Sequence, residues 1–293
     1  MKIGLIGLGR MGGGMARRLL TNGYDLKVFH RDPNHTESFA GLGASVATDI
    51  AELCEGRELL ISMLPSDEDL EAVTLGPGGL TDSLIRGAIH MVSGTHGVRV
   101  IGKLVAAHEL KGQILVSCTV LGRPDRAAAG ALGLIPAGPA AALERITAVL
   151  KTLGEAIFRP GEDPLSGAAI KIANNFVLGC AIEAIGEGMA LVRRYGVDPG
   201  LFQQVLTEGL FNCVAYQSYG DVIAKQDWGR VGATATIGLK DARLALEAAE
   251  KFQMRLPSGD VWHEHLLVAC GRGEAALDWS VMAREQFRRS GLE

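Results

Sequence analysis

Through roughly residue 160, short apolar runs alternate with stretches in which apolar residues recur every three to four positions. The runs KIGLIGL (2–8), LKVFHR (26–31), ELLISML (58–64), AIHMVS (88–93), ILVSCTV (114–120), LGLIPA (132–137) and AIFRP (156–160) predict strands. Between them, RMGGGMARRLLTNG (10–23) and VRVIGKLVAAHEL (98–110) have helical spacing. This alternation predicts a mostly parallel, doubly wound α/β sheet. After RPGEDPLSG (159–167) the strand signals stop, and residues 165–290 read as one helix after another. The first of these runs from Leu165 to Tyr195 and ends at Gly196, a C-cap residue type. At ~1.5 Å per residue it spans roughly 45 Å, which suits a spine joining two domains. The boundary is placed at Asp163–Pro164, giving an α/β domain over 1–163 and an all-α domain over 164–293.

Composition narrows the class. The 293 residues are 47% hydrophobic and 21% charged, with a net charge of −4, as expected of a globular chain with a sizeable core. The charge gives no basis for binding nucleic acid or a membrane. Cys54, Cys118, Cys180, Cys213 and Cys270 are scattered without a CxxC pair, which predicts reduced thiols and a cytoplasmic protein. The N-terminal apolar run comes too early, and is too rich in glycine, for a signal peptide. No run approaches the ~18 consecutive apolar residues of a bilayer span.

Chemistry enters at IGLIGLGRMGGGMARRLL (3–20), which contains Gly7-x-Gly9-x-x-Gly12 between a strand and a helix. One glycine permits the tight turn, one lets the backbone approach a pyrophosphate, and one allows close strand–helix packing. The helix N-terminus then offers N–H donors and a positive dipole to the phosphates. The second strand ends in VFHRD, with His30 where an NAD site usually has an acidic residue, and Arg31 after it. A guanidinium there favours a 2′-phosphate and hence NADP, with NAD the alternative. Asp32 reads as a turn or helix-start residue.

A second cluster lies in SGAAIKIANNFV (166–177), where Lys171, Asn174 and Asn175 interrupt an apolar run. At i, i+3 and i+4 they share one helical face, with Gly167 a turn earlier leaving space beside them. Ala168, Ile170, Ile172, Phe176 and Val177 would make the rest of a mostly buried helix. Lysine can place a cation beside a developing oxyanion and deliver the proton that carbonyl reduction requires. In the oxidative direction the amine must act as a base. Asn175 is suited to holding the lysine or the substrate. The alternative is a lysine that reaches out to solvent.

These motifs together resemble the β-hydroxyacid dehydrogenase family over nearly the whole chain. The 3–20 segment is similar to its cofactor fingerprint, which assigns Gly7, Leu8, Gly9, Arg10, Met11 and Gly12 to the cofactor. ISMLPSDEDLEAV (61–73) resembles the segment bordering the cofactor through Met63, Leu64 and Pro65, and Thr95 of SGTHG matches the threonine of a Ser-Thr-x-Ser element. GAAIKIANN (167–175) is similar to the catalytic G-x-x-x-K-x-x-N-N, assigning Lys171 and Asn175, with Asn174 beside the substrate. GLKDARLALEAAEKFQMRLP (238–257) resembles the K-D-L-x-L-A segment, placing Lys240 at the cofactor. The resemblance implies a Rossmann-type N-terminal domain, an all-helical C-terminal domain, a long helix joining them, an active site in the cleft, and a homodimer built on the helical domain.

The substrate segment departs from the family. Where the pattern is D-A-P-V-S-G-G, this chain has Ser117, Thr119, Leu121, Gly122 and Arg123 at the aspartate, proline, serine and glycine positions. Leu121 cannot donate a hydrogen bond, and Arg123 either grips a carboxylate or is a surface residue. A larger or less polar carbonyl substrate fits this change. Imine reductases share the fold and cofactor but typically have Asp or Tyr in place of the lysine. They give one alternative, C=N reduction, and a non-catalytic NADP-binding scaffold gives another. His263 and His265, two apart on a helix, point apart and do not make a metal pair. Glu183 and Glu187 read as solvated or interfacial. Trp228, Trp262 and Trp279 read as core or interface residues, with Trp228 and residues 211–220 as alternative candidates for the substrate end of the cleft.

Overall fold

The computed structural model describes residues 1–293. The chain divides into two compact units, Met1–Lys171 and Ile172–Glu293. The divide lies inside a helix because its first two turns pack on the sheet of the first unit: Ala168 is buried with Val92, Leu104 and Leu115.

The first unit alternates as the apolar pattern predicts: β1 (Lys2–Ile6), α1 (Arg10–Thr21), β2 (Asp25–Phe29), α2 (Glu37–Ala40), β3 (Ser45–Val46), α3 (Ile50–Cys54), β4 (Leu59–Ser62), α4 (Asp67–Leu75), α5 (Leu80–Ser83), β5 (Ile89–Val92), α6 (Val98–Leu110), β6 (Ile114–Leu121), α7 (Pro124–Ala129), β7 (Leu132–Ala137), α8 (Ala140–Arg145), α9 (Thr147–Leu153) and β8 (Gly154–Ile157). The sheet order is β3-β2-β1-β4-β5-β6-β7-β8. Neighbours pair in parallel except β6 and β7, which are antiparallel, with Ser117 opposite Ala137 and Leu121 opposite Gly133. β4 and β5 are buried along their whole length, because helices cover both faces, and a strand covered twice must be apolar throughout. Met15 and Leu19 of α1 pack on one face against Leu5, Val28 and Ile61. Leu53, Leu80 and Leu84 cover Ile6 and Leu60 on the other.

α10 (Pro164–Arg194) has 31 residues and follows the predicted spine within a residue at each end. An 18-residue window within it reaches a mean hydropathy of 1.4, so by length and composition it is apolar enough to cross a membrane, where the sequence predicts no such span. The difference arises because Ala, Ile, Leu, Val and Phe keep the average high around isolated polar residues. Of that window, 44% is buried inside the protein. The helix is also less covered than expected: Ala168 and Ile172 are buried, but Ile170 is 43% and Val177 65% exposed.

The second unit continues with α11 (Pro199–Glu208), α12 (Val214–Lys225), α13 (Ala235–Glu250), α14 (Pro257–Ala269) and α15 (Met282–Arg289). Its core is aromatic: Trp262 and Trp279 rings lie 6.2 Å apart, and Trp228 packs on Phe287 at 6.3 Å. Trp228 is a buried core side chain, as one reading of the sequence expects. Glu183 is buried too, where the sequence suggests a solvated or interfacial residue. Its carboxylate meets His265 Nδ1 at 3.0 Å. Burial raises the Glu183 pKa, and the hydrogen bond to Glu183 raises that of His265.

Candidate active site

The glycine turn sits at the carboxyl end of β1, where ligands bind in open parallel sheets. Gly7 adopts φ +97°, a conformation that favours glycine. A Cβ at Gly12 would collide with the Gly7 carbonyl oxygen, and a Cβ at Gly7 with the Met63 carbonyl. At Gly9, by contrast, nothing lies within 4 Å of that position. Two glycines thus close the turn, and the third leaves its backbone open to an approaching group. This is the division of labour that a dinucleotide pyrophosphate needs, and the residues fit a nicotinamide cofactor. A cleft of about 580 Å³ flanks the turn, lined by Leu8, Gly9, Arg10, Arg17, Asn34, His35, Ser38 and Phe39 among others. Arg17 lies over the Phe39 ring at 4.9 Å.

His30 and Arg31 do not line that cleft. The His30 ring lies 4.3 Å from the tilted ring of His35, and its Nδ1 accepts from the Asp32 N–H at 3.1 Å. Arg31 is 84% exposed and lies 3.5 Å from Asp69. Asp32 caps the following turn through the Asn34 N–H at 3.0 Å, as its sequence context predicts. The cleft residues Arg17 and His35 were not singled out in the sequence: Arg17 lies beyond the glycines of the fingerprint, and His35 belongs to no motif.

The segments after β4 and β5 adjoin the turn. Met63 and Leu64 touch the positions where Gly7 and Gly12 would carry side chains. Pro65 is exposed and Thr95 half-buried. The His96 Nδ1 meets the Asp67 carboxylate at 2.9 Å, and the Gly97 N–H donates to the same carboxylate at 3.1 Å. The imidazole occupies the space a side chain at Gly94 would need, so glycine at 94 and histidine at 96 come as a pair.

Behind Met63, Ser62 begins a buried chain of side chains. Gln113 Nε2 donates to the carbonyls of Thr81 and Leu84 at 3.1 and 2.7 Å, which leaves its oxygen as the acceptor for His108 Nδ1 at 2.8 Å. His108 Nε2 must then accept from His90 Nδ1 at 2.9 Å, and His90 Nε2 from the Ser62 hydroxyl at 2.8 Å. Every proton has one place, and both rings are neutral. Burial lowers the pKa of each, and for His90 the neighbouring His108 and His96 lower it further.

On α10, Lys171 is half-buried, Asn175 buried and Asn174 exposed. The Asn175 amide donates through Nδ2 to Asp241 Oδ2 at 2.7 Å, and its oxygen accepts from Asn174 Nδ2 at 3.2 Å. The other Asp241 oxygen lies 3.1 Å from Lys240 Nζ. Asp241, on α13, is 5% exposed and joins two candidate residues by one carboxylate. The sequence reading passed over it in favour of the adjacent Lys240.

Gly167, one turn before Lys171, faces the sheet. A Cβ there would lie 3.0 Å from Ala137 Cβ and 3.2 Å from Ser117 Oγ, and the Thr119 hydroxyl donates to the Gly167 carbonyl at 3.2 Å. Leu121, half-buried, ends β6; Gly122 turns the chain at φ +133°, and Arg123 is exposed at the start of α7.

A family model described as the NAD binding domain of 6-phosphogluconate dehydrogenase matches residues 2–161. A second, described as NAD-binding of NADP-dependent 3-hydroxyisobutyrate dehydrogenase, matches residues 166–285. The chain belongs to the β-hydroxyacid dehydrogenase family. It is therefore an NAD(P)-dependent oxidoreductase acting between hydroxyl and carbonyl groups. This family member is 36% identical to the uncharacterized oxidoreductase YfjR of Bacillus subtilis, over 97% of this chain and 99% of that one. It is 32% identical to the 3-hydroxyisobutyrate dehydrogenase of Pseudomonas aeruginosa, over 88% of each chain. In fold it is similar to the solved 3-hydroxyisobutyrate dehydrogenase of Mycobacterium tuberculosis, with a TM-score of 0.87, 24% identity, and 97% of this chain covered.

Proposed function

We propose that this family member moves hydride between NADP and a small carbonyl or β-hydroxyacid-type substrate, with Lys171 as the proton donor and acceptor. The observation that carries this reading is the lysine set one helical turn from an asparagine whose amide is fixed by buried Asp241. When bound, the reduced nicotinamide supplies hydride to the carbonyl carbon. The chain supplies the rest. The Lys171 ammonium neutralises the growing alkoxide and gives it a proton, and in oxidation the neutral amine takes the proton back. Asn175 keeps one amide hydrogen available for the lysine or the substrate oxygen. Lys240, held by Asp241, stands as a cation for the cofactor.

NADP is favoured over NAD because β2 is followed by His30 and Arg31 rather than a carboxylate, and because Arg10, Arg17 and His35 line the cleft at the turn. The helical unit supports a homodimer. Val177, Ala184 and Leu191 recur every seven residues along α10 on exposed positions. Tyr195, Leu201 and Val205 continue the apolar surface at 82%, 53% and 61% exposure, more than a lone helical face usually leaves in water.

Lys171→Ala should lower kcat by about three orders of magnitude, while NADPH binding and the thermal transition are kept. The same assays with NADPH and NADH should give a higher kcat/KM for NADPH. Near-normal turnover in the variant would refute the role of Lys171, and an NADH preference would refute that of the cationic turn.

A further inference from the structure

Leu121 lies level with Lys171. Helical Cβ atoms lean toward the N-terminus, and helical carbonyls point toward the C-terminus. Ser117 lies against the Cβ side of Gly167, and Thr119 against its carbonyl. β6 therefore advances along α10 in the same direction as the helix. Two residues of strand carry the chain ~6.6 Å beyond Thr119, to Leu121. Four residues of helix carry it ~6 Å beyond Gly167, to Lys171. Residues 117, 119 and 121 share one face of the strand, and Lys171 shares the sheet-facing side of Gly167.

This face has no hydroxyl to offer a substrate beside the lysine. The Thr119 hydroxyl is committed to the Gly167 carbonyl. Ser117 is fully buried. Opposite Leu121 stands Gly133, which has no side chain, and Leu121 Cβ lies 3.2 Å from where one would begin. On this face of β6, Leu121 is the side chain that follows Thr119 at the strand's end. A carboxylate placed against it would lose its water and gain no partner, a penalty of the kind that separates substrates strongly.

We propose that Leu121 is a specificity-determining residue, and that the substrate is a carbonyl compound bearing an apolar group, not a carboxylate, on the side that meets β6. This rests on the carbonyl-reducing role of Lys171 given above.

Two aldehydes of equal size test it: 4-oxobutanoate and 4-methylpentanal, in which an isopropyl group replaces the carboxylate. The native enzyme with NADPH should favour 4-methylpentanal in kcat/KM by at least about tenfold. Leu121→Ser, or the strand-compatible Leu121→Thr, should narrow or reverse that ratio. Calorimetry in the presence of NADP should show 4-methylpentan-1-ol binding more tightly than 4-hydroxybutanoate to the native protein, and the difference shrinking in the variants. A native preference for 4-oxobutanoate that vanishes in Arg123→Ala would overturn the proposal and give the carboxylate to Arg123. A native ratio unmoved by both Leu121 variants would also overturn it. Turnover of neither aldehyde, with NADPH still bound, would overturn the carbonyl reading beneath it instead.

Discussion

Asp241 decides where the Asn175 amide points. Replacing it with alanine would free Nδ2 from its 2.7 Å bond and leave Lys240 without its carboxylate. Misplacing a positioning group by about an ångström can lower turnover ~100-fold. Asp241→Ala is expected to lower kcat ten- to a hundredfold, and Asp241→Asn less. A kcat unchanged in both, measured at saturating substrate and cofactor, would contradict this. The residue also marks a limit of sequence reading. Lys171 and Asn175 were legible because i, i+4 spacing is a local property. Asp241 stands beside Lys240 in the K-D segment, but it lies 66 residues away, on another helix, and no local spacing ties it to Asn175. Arg31 shows the converse, since a motif position was readable but its outward course toward Asp69 was not.

Among the elements, strands that are apolar throughout were readable because two covered faces leave no room for polar alternation. β3 was not, since two residues carry no period. The reversal of β7 was also invisible, because direction depends on the connection and not on composition. The buried chain from Ser62 to Gln113, spread over β4, β5, the last turn of α6 and the loop that follows it, has a consequence for acid stability. Burial holds both imidazoles below their usual pKa of 6.5. The folded state therefore refuses protons that the unfolded chain accepts. The contribution of the two rings is complete above about pH 6.5 and is lost as the pH falls below it. Each ring adds about 1.4 kcal/mol per pH unit to that loss. Urea unfolding at pH 7.5, 6.5 and 5.5 should show the decline. His108→Gln, whose amide can still accept from His90 and donate to Gln113, should lose about half the slope. An unchanged slope in that variant would reject the assignment.

For the molecule as a whole, the exposed apolar surface on α10 and α11 makes self-association the expected state. Sedimentation at micromolar concentration should give a dimer, and Leu191→Glu with Val205→Glu should shift it to monomer while each chain keeps its helicity. A native monomer would refute this. The two-part organisation was legible because strand patterns cease near Pro164, whereas the exposure of Val177 and Leu191 was not, since an apolar residue reads alike whether its own chain or another covers it. The chain of Ser62, His90, His108 and Gln113 also limits which substitutions the interior accepts. Each member holds its neighbours' protons in one direction, so a lone replacement by a side chain that cannot make the same donor and acceptor bonds strands its neighbours in a dry interior. These four positions are coupled through the direction of their protons, although fifty residues of sequence separate the first from the last.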